Sequence, residues 1–191
     1  DYIIEDVNIQ GQKSSCAGLF GIVYNGTLKN IILYSSDGKG TVTSGHYENS
    51  DYTSRWYAIG ALAGVAASHI GNAVENCAVA GYTINGNIYT YTDGGNNNWG
   101  GSGIGGLLGI SNMPLKNCSA VTTVRFPVTA KDNDNTRVGG LVGTCQDSIT
   151  NCYAGGNIQV DQDAKGETGE SMGIYIGGIV GGSYMKPLQV S

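Results

Sequence analysis

Apolar residues in this chain fall in short runs rather than at helical spacing, and the runs recur. A glycine-framed apolar block returns five times: Ala17-Gly-Leu-Phe-Gly21, Gly60-Ala-Leu-Ala-Gly64, Gly105-Gly-Leu-Leu-Gly109, Gly139-Gly-Leu-Val-Gly143 and Gly177-Gly-Ile-Val-Gly181. A second block, built on Asn and a small apolar residue, alternates with it: Ile4-Glu-Asp-Val-Asn-Ile, Leu28-Lys-Asn-Ile-Ile-Leu, Val74-Glu-Asn-Cys-Ala-Val, Leu115-Lys-Asn-Cys-Ser-Ala and Ile149-Thr-Asn-Cys-Tyr-Ala. The runs are rich in Val, Ile, Tyr and Thr and are broken by Gly and Asn, which predicts short strands. A period of 34 to 45 residues predicts a repeat architecture. The expected fold is all-β: a right-handed parallel β-solenoid (β-helix) of about five coils, each closing a core only by stacking on the next. One repeat domain spans 1–191, with coils at approximately 1–16, 17–59, 60–104, 105–138 and 139–176 and a partial coil at 177–191.

The Asn block carries a phase break. Leu115 and Cys118 are three apart, so a continuous strand would send them to opposite faces. A corner at Asn117 returns both to the inside, and Asn tolerates the left-handed backbone that a corner needs. Stacked coils would set Asn30, Asn76, Asn117 and Asn151 in one column about 4.8 Å apart, with an amide ladder between them. Cys77, Cys118 and Cys152 would share the next column, in the place that Val7 and Ile31 hold in the first two blocks. The glycine block gives two adjacent apolar stripes. Leu19, Leu62, Leu107, Leu141 and Ile179 form one; Phe20, Ala63, Leu108, Val142 and Val180 form the other. Adjacent residues such as Leu141 and Val142 must face opposite ways, so one stripe fills the core and the other lies outside, under a helix, a loop or a partner.

Insertions fall at about 36–59, 82–104, 123–138 and 157–176, between an Asn block and the next glycine block. A solenoid that takes its insertions at one point of each coil projects them from one edge. They hold ten of the fifteen acidic residues and both tryptophans. Trp56, Tyr57, Tyr89, Tyr91 and Trp99 are therefore the candidate binding residues, because polar-tipped aromatics favour interfaces and stack on sugar rings. The bland alternative is that they cap the insertions against the solenoid.

Charge and cysteine content narrow the picture. The net charge is −5 and the ten Lys and Arg are scattered, which argues against nucleic acid. Five cysteines are an odd number, and three exchange with aliphatic residues at one repeat position, so Cys77, Cys118 and Cys152 read as reduced, buried small hydrophobes. The most apolar stretch, Ala58 to Val74, is too short to span a bilayer.

The paired blocks resemble the GLUG motif of bacterial surface proteins, best at Gly139–Gly143 with Ile149–Ala154 and well at Gly105–Ala120. The resemblance implies a secreted or cell-surface bacterial protein of adhesin-like or surface-protease-associated kind. It brings no catalytic residues.

Other chemistry is thin. Gly101-Ser-Gly-Ile-Gly-Gly106 matches a dinucleotide fingerprint literally, but a strand and turn follow where a helix is needed, so no cofactor is expected. Asp132-Asn-Asp-Asn135 and Asp161-Gln-Asp163 lack the remaining ligands of a calcium loop, so no metal is expected. His46 and His69 have no evident catalytic partners. The expectation is a non-enzymatic stalk or adhesin-like scaffold presenting its insertion edge. The alternatives are a carbohydrate-binding module and, less favoured, a polysaccharide lyase or hydrolase on a β-helix. Expected partners are a host or neighbouring-cell glycan or surface protein, further domains of a longer chain, or a second copy end to end, with no membrane insertion. The last expectation rests on ends without recognisable caps: an Asn block with no glycine block before it, and a glycine block with no clear Asn block after it.

Overall fold

The computed structural model describes residues 2–11, 16–44, 57–86, 102–127, 136–161, 174–183 and 189–191. These residues are all-β, and every strand pairing among them is parallel. Four sheets stack the repeats, which fits a β-helix or solenoid. In chain order within a repeat, sheet I takes Cys16–Ala17, Ala58–Ile59, Ser102–Gly105, Thr136–Gly139 and Ile174–Gly177. Sheet II takes Phe20–Tyr24, Ala63–Ala67, Leu108–Ser111, Val142–Cys145 and Val180–Gly182. Sheet III holds the two-residue strands Leu28–Lys29, Val74–Glu75, Leu115–Lys116 and Ile149–Thr150. Sheet IV is the long one: Tyr2–Glu5 and Asn8–Gly11, Ile31–Tyr34 and Gly40–Ser44, Ala78–Asn85, Ser119–Pro127 and Tyr153–Asp161.

Two kinds of corner separate the sheets. The glycine block bends between sheets I and II, and the Asn block bends between sheets III and IV. Each corner resets the in-out alternation, so residues on both sides of it point inward. This overturns the expectation that one glycine-block stripe lies outside. Leu62, Leu107 and Leu141 are fully buried, and so are Ala63, Leu108 and Val142. All six join the main core with Ile59, Ile104 and Val138 of sheet I and Val79, Ile84 and Val124 of sheet IV. The straight strand assumed for the block is instead two strands with a bend at Gly140-Leu141. The opposite face of sheets I and II builds a smaller cluster of Cys16, Ala58, Val65 and Ala67, with Ile110 against it.

The first repeat corrects another expectation. Tyr2 pairs with Ile31 and Ile4 with Leu33, so the opening block lies five residues away from the register of an Asn block. Tyr2, not Val7, occupies the column of Ile31 and the cysteines. Apolar content could not decide this, since Ile4 fits either position; Asp6 instead accepts from the Ser36 backbone N–H and from the Ser35 hydroxyl. At the other end, Val190 bridges to Ile149, and the Ile149 N–H donates to the Gln189 carbonyl. Gln189–Ser191 thus fills the sheet III position where no clear Asn block was legible.

Candidate functional site

The Asn corners form a column. Asn30, Asn76, Asn117 and Asn151 all have positive φ, between 52° and 59°. The amide of Asn76 donates to Asn30 Oδ1 at 3.0 Å, and that of Asn117 donates to Asn76 Oδ1 at 3.1 Å. The backbone repeats the pattern: the N–H groups of Asn30, Asn76, Asn117 and Asn151 donate to Glu75, Lys116, Thr150 and Ser191. Asn117→Ala should cost about 2–3 kcal/mol, from the left-handed backbone and the lost amide bonds together. Asn117→Gly keeps the backbone angle and should cost about half as much. Urea titration of the two variants checks this; equal losses would deny the corner its conformational role.

The thiol column follows the Asn column by one residue. Cys77 and Cys118 are buried, whereas Cys152 is half-buried, which corrects the expectation that all three are enclosed. Cys152 immediately precedes Tyr153–Asp161, the last strand of sheet IV, which pairs on one side only. No disulfide joins any of the five cysteines. The Cys118 N–H donates to Cys152 Sγ at 3.3 Å, and Cys118 Sγ donates to the Lys116 carbonyl at 3.2 Å. The Cys118 thiol beside it stabilises the Cys152 thiolate and lowers its pKa to about 7. Cys118, between two thiols and out of water, is pushed strongly up. Cys152 should therefore alkylate with an apparent midpoint about 7 while Cys118 stays unreactive until the chain unfolds. Mass spectrometry of pH-stepped iodoacetamide labelling tests it, and a Cys152 midpoint near that of a free thiol would refute it.

Sheet IV turns its other face outward, and the register sorts that face into four columns. Two are apolar or small apart from Glu5: Ile3, Ile32, Ala78, Ser119 and Tyr153, then Glu5, Tyr34, Ala80, Val121 and Gly155. Two are polar: Asn8, Thr41, Thr83, Thr123 and Asn157, then Gln10, Thr43, Asn85, Arg125 and Gln159. A left-handed glycine, Gly81, absorbs an extra residue in the third repeat and keeps the columns in phase. Hydrogen bonds between repeats fix the polar side chains. Thr41 Oγ1 donates to Asn8 Oδ1 at 3.0 Å, Asn85 Nδ2 to Thr43 Oγ1 at 3.2 Å, and Arg125 Nε to Gln159 Oε1 at 3.0 Å. Sequence reasoning missed this face. The signal was present in Thr41-Val-Thr, Thr83-Ile-Asn and Thr123-Val-Arg, but all three fall within the insertion ranges.

Of the aromatic candidates, Tyr57 is half-buried and packs against the main core. Trp56, Tyr89, Tyr91 and Trp99 lie outside the described residues, as do His46 and Asp132–Asn135. His69 meets Tyr24 edge-on at 5.6 Å between ring centres. Gly103 and Gly105 of the fingerprint-like run are in a sheet I strand that bends into another strand, where a dinucleotide site needs a helix. In each repeat the described chain leaves sheet IV and re-enters at sheet I, and most of the residues read as insertions lie outside the described ones. Among the described residues, no group of three or more His, Cys, Asp or Glu could hold a metal ion. No helix of the described residues is long and apolar enough to cross a membrane.

Comparison with known proteins adds one decisive match. Residues 134–159 fit the GLUG motif. The chain carries a GLUG motif. The matched GLUG segment runs from the sheet I strand Thr136–Gly139 through both corners into Tyr153–Asp161, one turn of the stack. No curated protein and no solved structure matches the chain.

Proposed function

We propose that the chain is a non-enzymatic module of a secreted or cell-surface bacterial protein, a stacked scaffold that presents surfaces for contact. In this reading it is a right-handed solenoid of about five coils, the hand that nearly all parallel crossovers take. The observation that carries the proposal is the GLUG turn at residues 134–159, set in a stack whose neighbouring repeat pairs with it in register and whose Asn corners bond from repeat to repeat. Such a unit makes a spacer whose length grows by repetition. The insertions, with Trp56, Tyr57, Tyr89, Tyr91 and Trp99, supply one contact edge, and glycans or surface proteins are its partners. Protease shaving of intact source cells tests the location. Release of peptides from this chain without lysis is expected; recovery of the intact chain from the cytosol alone overturns the proposal.

A second reading, a carbohydrate-binding module, is favoured by the sparsely charged outer face of sheet IV, where Glu5 and Arg125 are the charged residues of the four columns.

A further inference from the structure

We propose that the outward face of sheet IV binds a neutral, extended polysaccharide lying along the stack. This inference rests on the reading of the chain as an exposed contact module, but places the contact on a face of the described fold rather than on the insertions.

Composition comes first. Solvent faces of soluble domains carry roughly a quarter to a third charged residues. In the four outward columns only Glu5 and Arg125 are charged, and they sit in the first and fourth repeats. Solubility alone does not call for so neutral a face, and it offers a polyanion almost nothing to pair with. What it offers is hydroxyls and amides, each with donor and acceptor capacity suited to sugar hydroxyls.

Geometry comes second. A hydroxyl or an amide recurs at every repeat of the column Asn8, Thr41, Thr83, Thr123 and Asn157, about 4.8 Å apart. A ligand that meets them all must itself repeat along the stack, as an extended polysaccharide does. The cross-repeat bonds from Thr41, Asn85 and Arg125 hold their partners before any ligand arrives, so less side-chain freedom is lost on binding.

The apolar half completes the site. Tyr34 and Tyr153 are exposed at 42% and 61%, and Val121 at 45%. Ala78, Ala80 and Ser119 leave a shallow floor between the two tyrosines. A Cβ on Gly155 would meet Tyr153 Oη at 2.8 Å and Cε1 at 3.1 Å. The missing side chain at Gly155 therefore lets the Tyr153 ring lie across the sheet as a platform. Aromatic platforms beside planar polar groups recognise the C–H face and the hydroxyl edge of one sugar together.

The full chain should be titrated against soluble β-glucan, β-mannan, xylan and α-glucan, with polygalacturonate as the charged counterpart. At least one neutral polymer is expected to bind, with an affinity unchanged by 1 M salt (roughly ten times the usual ionic strength). Tyr34→Ala and Tyr153→Ala should each weaken it about tenfold, and Thr83→Glu should abolish it, with melting curves confirming that each variant folds. Binding to none of the neutral polymers overturns the inference while leaving the proposed scaffold role and its shaving test intact. Preference for polygalacturonate, or loss in salt, overturns it too. If Trp56→Ala with Trp99→Ala removes binding and the sheet IV variants do not, the insertions are the site. If the face variants instead abolish self-association seen by light scattering, its occupant is a second copy.

Discussion

Gly109→Ala is expected to unfold the chain under conditions where Gly38→Ala leaves it folded. Gly109 closes the third glycine block where sheet II passes the sheet I strand of the preceding repeat. A Cβ there would run into the Ile59 backbone nitrogen and lie 2.7 Å from both the Ala58 carbonyl carbon and the Gly64 oxygen. All three atoms belong to the backbone of hydrogen-bonded strands, so none can yield without breaking the ladder. Gly143 meets the Ile104 backbone in the same way one repeat on. A loss of more than about 4 kcal/mol is expected, most of the stability of an ordinary domain. Gly38 has φ +71 and open space around it, so alanine there costs only about 1–2 kcal/mol of backbone strain. Circular dichroism and urea titration separate the two; comparable losses would mean that the corner has room to relax.

Leu107→Ala is expected to be nearly as damaging, for a different reason. Leu107 is fully buried at the glycine corner, between Leu62 below and Leu141 above. Truncation leaves a cavity that close-packed neighbours on both sides cannot fill, at a cost of about 2–5 kcal/mol. The same change at Leu19, in the first repeat of that column and only partly buried, should cost markedly less. Denaturation midpoints that fall equally for Leu107→Ala and Leu19→Ala would contradict the packing described.

The parallel stack was legible in the chain because Asn and glycine blocks recur together, and the phase break between Leu115 and Cys118 marks a corner. The glycine corner carries the same kind of information, yet Leu141 and Val142 read as opposite faces. Adjacent apolar residues identify a bend only when the backbone approach behind them is known, and Gly143 encodes that approach by lacking a side chain. The register of Tyr2–Glu5 was hidden because a single Ile cannot choose between columns. The outer face of sheet IV escaped notice because Thr and Asn in alternation look like any solvent edge; its meaning comes from five strands set side by side.

One whole turn of the stack has a uniform offset. Ser102 pairs with Thr136, Leu108 with Val142, Leu115 with Ile149 and Ser119 with Tyr153, each thirty-four positions apart (102 to 136, 119 to 153). The stretch between these points is therefore an interchangeable genetic cassette. An in-frame recombination that removed it would set Val138 on Ile59, Val142 on Ala63, Ile149 on Val74 and Tyr153 on Ala78, and a duplication would insert another such layer. Lineages carrying this gene can be expected to differ by this cassette, with the reading frame and every core column preserved across the junction.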